Sequence, residues 1–99
     1  MANIEIYTKD FCPFCAHAKS LLDAMNLDYN EYELTFDADR EAEMIARSQA
    51  FTVPQIFVDG QLVGGCDELY ARVEDGSFET LLNSLTVEHN IKLEVANHV

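Results

Sequence analysis

The sequence predicts an α/β fold, a four-stranded mixed β-sheet flanked by α-helices on both faces. Three observations carry this. Strand-like and helix-like segments alternate through the first half of the chain, a hairpin signature at Asp59-Gly60 joins two apolar runs, and helical periodicity returns after Gly64-Gly65. An order of βαβα, a hairpin and then helices needs one sheet with helices packed on each side of it.

The elements follow in order. Residues 3–8 alternate about Ile4 and Ile6 and read as the first strand. From Pro13 to about Met25, the apolar residues at 18, 21, 22 and 25 share one helical face. Asn26 and Asp28 break that pattern, and Tyr29 to Leu34 reads as a second strand. Asp37 or Asp39 caps a second helix running to about Gln49, with acidic residues early and Arg47 in the last turn, as the helix dipole favours. Gln55-Ile56-Phe57-Val58 and Gln61-Leu62-Val63 flank the two-residue turn of a hairpin. A short helix is expected around Asp67–Glu74. Ser77 is read as the cap of a last one, with Phe78, Leu81, Leu82 and Leu85 on one face. In the tail, Ile91, Leu93 and Val95 alternate as in a strand, while Val87 and Ile91 also suit a helix, and both readings stay open.

The chemistry concentrates in Cys12-Pro13-Phe14-Cys15, directly after the first strand. A Cys-x-x-Cys pair at a strand-to-helix junction points to thiol–disulfide exchange. Cys12 falls where an N-cap belongs, and Pro13 at the first helical position, where its missing N–H costs nothing. A thiolate at Cys12 meets unpaired backbone N–H groups and the positive end of the helix dipole, which is expected to lower its pKa. Cys15, one turn in, is positioned to resolve a mixed disulfide formed at Cys12. A zinc site is the competing use of such a pair, but zinc wants four ligands. The only other thiol is the isolated Cys66, and His17, His89 and His98 lack ligand spacing. A structural disulfide over so short a loop constrains the unfolded chain very little.

Composition sets the frame. A chain of 99 residues makes one domain with a modest core. No run is long enough to cross a bilayer and no basic-then-apolar leader opens the sequence, so a protein without a membrane partner is expected. Three cysteines, an odd number, fit a reducing cytoplasmic compartment better than a stapled secreted scaffold. Six basic residues against eighteen acidic ones give a formal charge of −12, which argues against nucleic acid.

Three motifs carry a family resemblance. Tyr7-Thr8-Lys9 leading into Cys12-Pro13-Phe14-Cys15, then Thr52-Val53-Pro54-Gln55-Ile56-Phe57, then Gly64-Gly65-Cys66-Asp67-Glu68-Leu69 resemble the glutaredoxins, in particular their small bacterial dithiol class. The resemblance implies the thioredoxin fold, a glutaredoxin domain over 1–85 and a C-terminal extension over 86–99. It also implies glutathione-dependent reduction of protein disulfides and of protein–glutathione mixed disulfides, with glutathione as co-substrate, Cys12 and Cys15 as the redox pair, and no metal. By the same resemblance the Val53–Pro54 bond is cis, leaving the Val53 backbone N–H and C=O free to pair with a substrate's cysteinyl backbone. Paired glycines let a ligand approach closely, and the N–H groups opening the next helix suit a carboxylate. Gly65, Cys66 and Asp67 would then hold the γ-glutamyl end of glutathione, with the Asp67 side chain on its ammonium.

Because glutathione is an anion and the chain is acidic, cationic anchors are needed. Lys9, three residues before Cys12, is the first candidate, and Arg40, near the start of the second helix, the second. Phe14 stands where the family often has tyrosine, and Phe11 where a small polar residue is usual. With Phe51 before Thr52 they form an apolar rim around the thiols, or else one or two of them are simply buried. His17 replaces a frequent fixed positive charge, so support for the thiolate becomes pH-dependent. Cys66 is either a small residue filling a tight place or a site of glutathionylation or dimer formation. Two other uses of the dithiol stand beside the main one. One is an iron–sulfur cluster carrier completed by two glutathiones, which Pro13 disfavours. The other is a thioredoxin-like hydrogen donor reduced by a flavoprotein. A monomer acting on disulfide-containing or glutathionylated proteins, ribonucleotide reductase among those expected from the family, is the reading that results.

Overall fold

The computed structural model describes residues 2–83. Its elements are β1 (Ile4–Thr8), α1 (Pro13–Ala24), β2 (Asn30–Glu33), α2 (Ala38–Ser48), β3 (Gln55–Val58), β4 (Gln61–Gly64) and α3 (Cys66–Glu74). A further helix, α4, begins at residue 77 and is described to 83. The expected role of the 86–99 tail, Leu85 and the domain boundary at 85/86 lie outside the described residues.

The four strands form one mixed sheet in the order β2-β1-β3-β4. β1 runs parallel to β2, pairing Glu5 with Asn30 and Tyr7 with Tyr32. It runs antiparallel to β3, which in turn pairs antiparallel with β4. The β3–β4 turn has positive φ at both central residues, 47° at Asp59 and 84° at Gly60, the backbone that matches strand twist in a two-residue hairpin.

Alternation along β1 does not separate core from solvent, because both faces of the sheet are covered. Ile4 and Ile6 join Ile56 and Val58 in one core with Ala18 and Leu22 of α1, Leu69 of α3 and Phe78 of α4. Tyr7 and Phe57 point the other way and meet Leu34 and Met44 beneath α2. That second core carries a polar border. Arg47 donates to both Glu5 oxygens at 3.0 and 3.2 Å and to the Tyr7 hydroxyl at 2.8 Å. Its guanidinium lies 4.0 Å from the Phe57 ring centroid. Tyr7 in turn donates to Glu43 at 2.6 Å and Tyr32 to Glu5 at 3.0 Å. These bonds fix α2 across β1 and hold the Glu5 carboxyl below the ordinary carboxylate range, the Arg47 hydrogen bond being the largest cause.

Two sequence expectations change in detail. The second strand is shorter than Tyr29–Leu34: it spans Asn30–Glu33, with Tyr29 packed against the first core, and Leu34 in the second core after a last backbone bond from its N–H to the Thr8 carbonyl at 2.9 Å. Ser77 is not a cap. It is the first helical residue of α4, its N–H is accepted by Asp75 at 2.8 Å, and its hydroxyl accepts from Arg72 at 3.1 Å. Asp37, one of the two proposed caps of α2, does fill that role, accepting the Arg40 N–H at 3.0 Å.

Candidate active site

Cys12 ends the β1–α1 loop in extended conformation and caps α1, with Pro13 as the first helical residue. Its Sγ accepts the Cys15 N–H at 3.2 Å, and its carbonyl accepts the Ala16 N–H at 3.1 Å. A half-buried sulfur facing the donor end of a helix is the arrangement a nucleophilic thiolate requires. Cys15 is 2 % exposed. Burial, then a hydrogen bond to Cys12, pushes its thiol up from 9.0 to about 12. The two cysteines of one motif therefore differ in access, and both are free thiols.

The Val53–Pro54 bond is cis, as expected. The Cys12 Sγ lies 3.8 Å from the Val53 carbonyl oxygen, within reach of a thiol donor. Gln55, buried at the start of β3, donates through Nε2 to the Thr52 carbonyl at 3.1 Å and to its hydroxyl at 3.2 Å, fixing the segment before the proline.

Phe14, Thr52, Val53, Pro54, Gly65, Cys66, Asp67 and Glu68 line one open recess of about 170 Å³. All six of the residues expected from the Thr-Val-Pro and Gly-Cys-Asp motifs meet there, together with Phe14. Gly64 has a φ of +119°, and a Cβ on it would approach the Glu68 carboxylate oxygen to 2.8 Å. Gly65 precedes the first turn of α3, and Glu68 accepts its N–H at 2.8 Å. Cys66, Asp67 and Glu68 open α3 at the recess, so the first turn of the helix and two carboxylates lie along its wall. Sequence reasoning missed Glu68 and Gln55. The Gly65-x-x-Glu68 spacing, the acidic half of a capping box, was the available signal for Glu68. Cys66 is buried, and burial first, then the negative charges of Asp67 and Cys12, raise its thiol. Its side chain belongs to the first core.

The two cationic candidates lie elsewhere. Lys9 lines a second recess, of about 580 Å³, with Phe11, Cys12, Cys15 and Lys19. Its ammonium is ion-paired with Glu41 in the first turn of α2. Arg40 lines neither recess: it pairs with Glu43 at 3.1 Å and stacks 4.2 Å from the Tyr32 ring centroid. Phe11, Phe14 and Phe51 all stand out from the surface, so the reading that buries them does not hold. Among the described residues no group of three or more His, Cys, Asp or Glu is arranged to hold a metal ion. No described helix is long and apolar enough to cross a membrane.

An N-capping cysteine, a sheltered partner one turn on and a cis proline against the pair define a thiol–disulfide oxidoreductase of the thioredoxin fold. The glutaredoxin family model matches residues 4–63. The chain is 49 % identical over 82 residues to glutaredoxin 3 of Escherichia coli K12, across 83 % of this chain and 99 % of that one. It is 42 % identical over 84 residues to a probable glutaredoxin of Synechocystis, across 84 % and 96 %. Among solved structures it is similar to the glutaredoxin of Brucella melitensis, with 43 % identity and a TM-score of 0.73 over 83 % and 89 % of the chains. It is also similar to the buckwheat glutaredoxin–glutathione complex, with 27 % identity and a TM-score of 0.75 over 84 % and 78 %. The chain belongs to the glutaredoxin family, and its activity is glutathione-dependent thiol–disulfide exchange.

Proposed function

We propose that the domain over 1–85 acts as a monomeric cytoplasmic reductant of protein–glutathione mixed disulfides and protein disulfides, with Cys12 as nucleophile and Cys15 as resolving thiol. The single observation that carries this is the contrast within the pair: Cys12 half-buried at the N-terminus of α1, Cys15 buried with its thiol pushed up to about 12. The Cys12 thiolate attacks the glutathione sulfur of a mixed disulfide. A Cys12–glutathione disulfide forms, and the protein thiolate leaves and takes a proton from water. The thiolate of a second glutathione then attacks that adduct, releasing oxidised glutathione and regenerating the Cys12 thiolate. For a protein disulfide the adduct is to the protein. Cys15 loses its proton, attacks the Cys12 sulfur and expels the protein thiolate, and two glutathiones reduce the resulting Cys12–Cys15 disulfide. Glutaredoxin potentials near −200 to −230 mV, roughly those of the glutathione pool, let the exchange run in either direction.

Glutathione would lie in the recess of Phe14, Thr52–Pro54 and Gly65–Glu68. The Val53 backbone pairs with its cysteinyl unit as a minimal strand addition. The N–H groups of Cys66 and Asp67 take the γ-glutamyl carboxylate, and the Asp67 carboxylate its ammonium. Lys9 serves the glycine carboxylate once it leaves Glu41. Arg40, held by Glu43 and Tyr32, supports α2 first and the ligand second. Ribonucleotide reductase remains the expected protein substrate. Cys15→Ser is the test. The monothiol variant is expected to keep at least about half the rate on a small glutathione mixed disulfide and to lose about a hundredfold on a protein disulfide. Loss of both activities would contradict the assignment of Cys15.

A further inference from the structure

We propose that Phe11, Phe14 and Phe51 form a docking rim for an extended segment of the substrate protein, one carrying apolar and basic residues beside its disulfide-bonded cysteine. This rests on the reading of Cys12 as the nucleophile and adds the partner it selects. Phe11 is 102 % exposed and Phe51 76 %. Phe11 immediately precedes Cys12, and Phe51 immediately precedes the Thr52-Val53-Pro54 segment, whose Val53 carbonyl lies 3.8 Å from the Cys12 sulfur. Phe14, 58 % exposed, lines the recess that Thr52, Val53 and Pro54 also line, and Phe11 lines the neighbouring one with Cys12. Large apolar side chains gathered on one exposed surface mark a place where a partner removes water.

Phe11 adds an independent observation. Its φ is 56°, a left-handed conformation that is unfavourable for a bulky residue. Asparagine or glycine would hold the same turn at less cost, so an aromatic ring here opposes both backbone preference and solubility. Neither cost brings packing against the described residues, since the ring is fully exposed.

Charge selects the chemistry of the partner. Asp10, Asp67 and Glu68 are exposed beside the rim. Every described lysine and arginine is already engaged: Lys9 with Glu41, Lys19 with Glu31, Arg40 with Glu43, Arg47 with Glu5 and Arg72 with the Ser77 hydroxyl. Lys9 and Lys19 share a recess with Phe11 and Cys12, but each is offset by a glutamate, so a substrate approaching Cys12 meets aromatic rings beside the exposed carboxylates of Asp10, Asp67 and Glu68. An apolar segment with lysine or arginine fits both features, and an acidic one is repelled.

Two glutathionylated peptides of about ten residues test this, identical in their apolar residues but flanked by lysine in one and glutamate in the other. The wild type is expected to favour the basic peptide by at least about tenfold in kcat/KM, and the preference should shrink in about 0.5 M salt. A Phe11→Asn, Phe51→Ser double variant keeps the turn at residue 11. It is expected to lose about tenfold on the basic peptide while its rate on a small hydroxyethyl–glutathione disulfide stays within about twofold. Equal rates on the two peptides, or an equal loss on the small disulfide, would overturn the proposal. A wild type inactive on the small disulfide would overturn the redox reading and this one with it.

Discussion

Reduced protein treated with iodoacetamide at about pH 7.5 should be alkylated at Cys12 and not at Cys15. The magnitude follows from the buried thiol. A cysteine ionising at 9.0 is about 3 % thiolate at that pH, whereas one lifted to about 12 is about 0.003 %, a thousandfold less of the reactive form. Burial is the largest cause of the shift and the Cys12 hydrogen bond the second, so Cys12→Ser removes the smaller of the two. In that variant Cys15 is still expected to react at least about a hundredfold more slowly than in the same protein unfolded by urea. Peptide mapping by mass spectrometry, with alkylation timed over minutes to hours, reads both rates. If Cys15 of the folded variant reacted within about tenfold of the unfolded rate, its protection would come from Cys12 and not from the core. The sheltered resolver would then be the wrong description.

Two further predictions address the charges. Lys9→Glu should raise the KM for glutathione mixed disulfides several-fold, and Glu41→Gln, which frees Lys9 from its ion pair, should lower it, with kcat little changed in both; steady-state kinetics decides, and an unmoved KM in both variants removes Lys9 from the site. Arg47→Ala strips Glu5 of its main partner and is expected to destabilise the fold by about 1–3 kcal/mol in urea denaturation. The folded Glu5 carboxyl ionises below its usual 4.5, so its stabilisation is full above 4.5 and is lost as pH falls from there through the lowered folded value; the variant should lack this share of acid sensitivity.

Much of this was legible because it is local. The Cys12 cap, Pro13 at the helix start, the Asp59-Gly60 turn and the Asp37 cap each depend on residues within one turn of one another, and each forms as the sequence suggests. The Thr52–Pro54 and Gly65–Asp67 motifs were legible as a resemblance, and they meet in one recess. What escaped depends on contacts across the fold. Glu5 reads as the solvent-facing residue of an alternating strand, yet its partner Arg47 is 42 positions away on α2. Lys9 reads as a free cation, yet the packing of α2 over β1 brings Glu41 to it. The same packing assigns Arg40 to Glu43 and Tyr32 and takes it out of the recess. The three phenylalanines were ambiguous in sequence because an apolar residue carries no sign of which side of the surface it faces. In the fold all three face solvent.

The central claim is that this dithiol is recharged by glutathione. The most direct measurement follows NADPH oxidation with a small mixed disulfide as substrate, once with glutathione and glutathione reductase and once with thioredoxin reductase alone. The account predicts steady turnover in the first system, abolished in Cys12→Ser, and none above background in the second. Turnover with thioredoxin reductase and none with glutathione would contradict it.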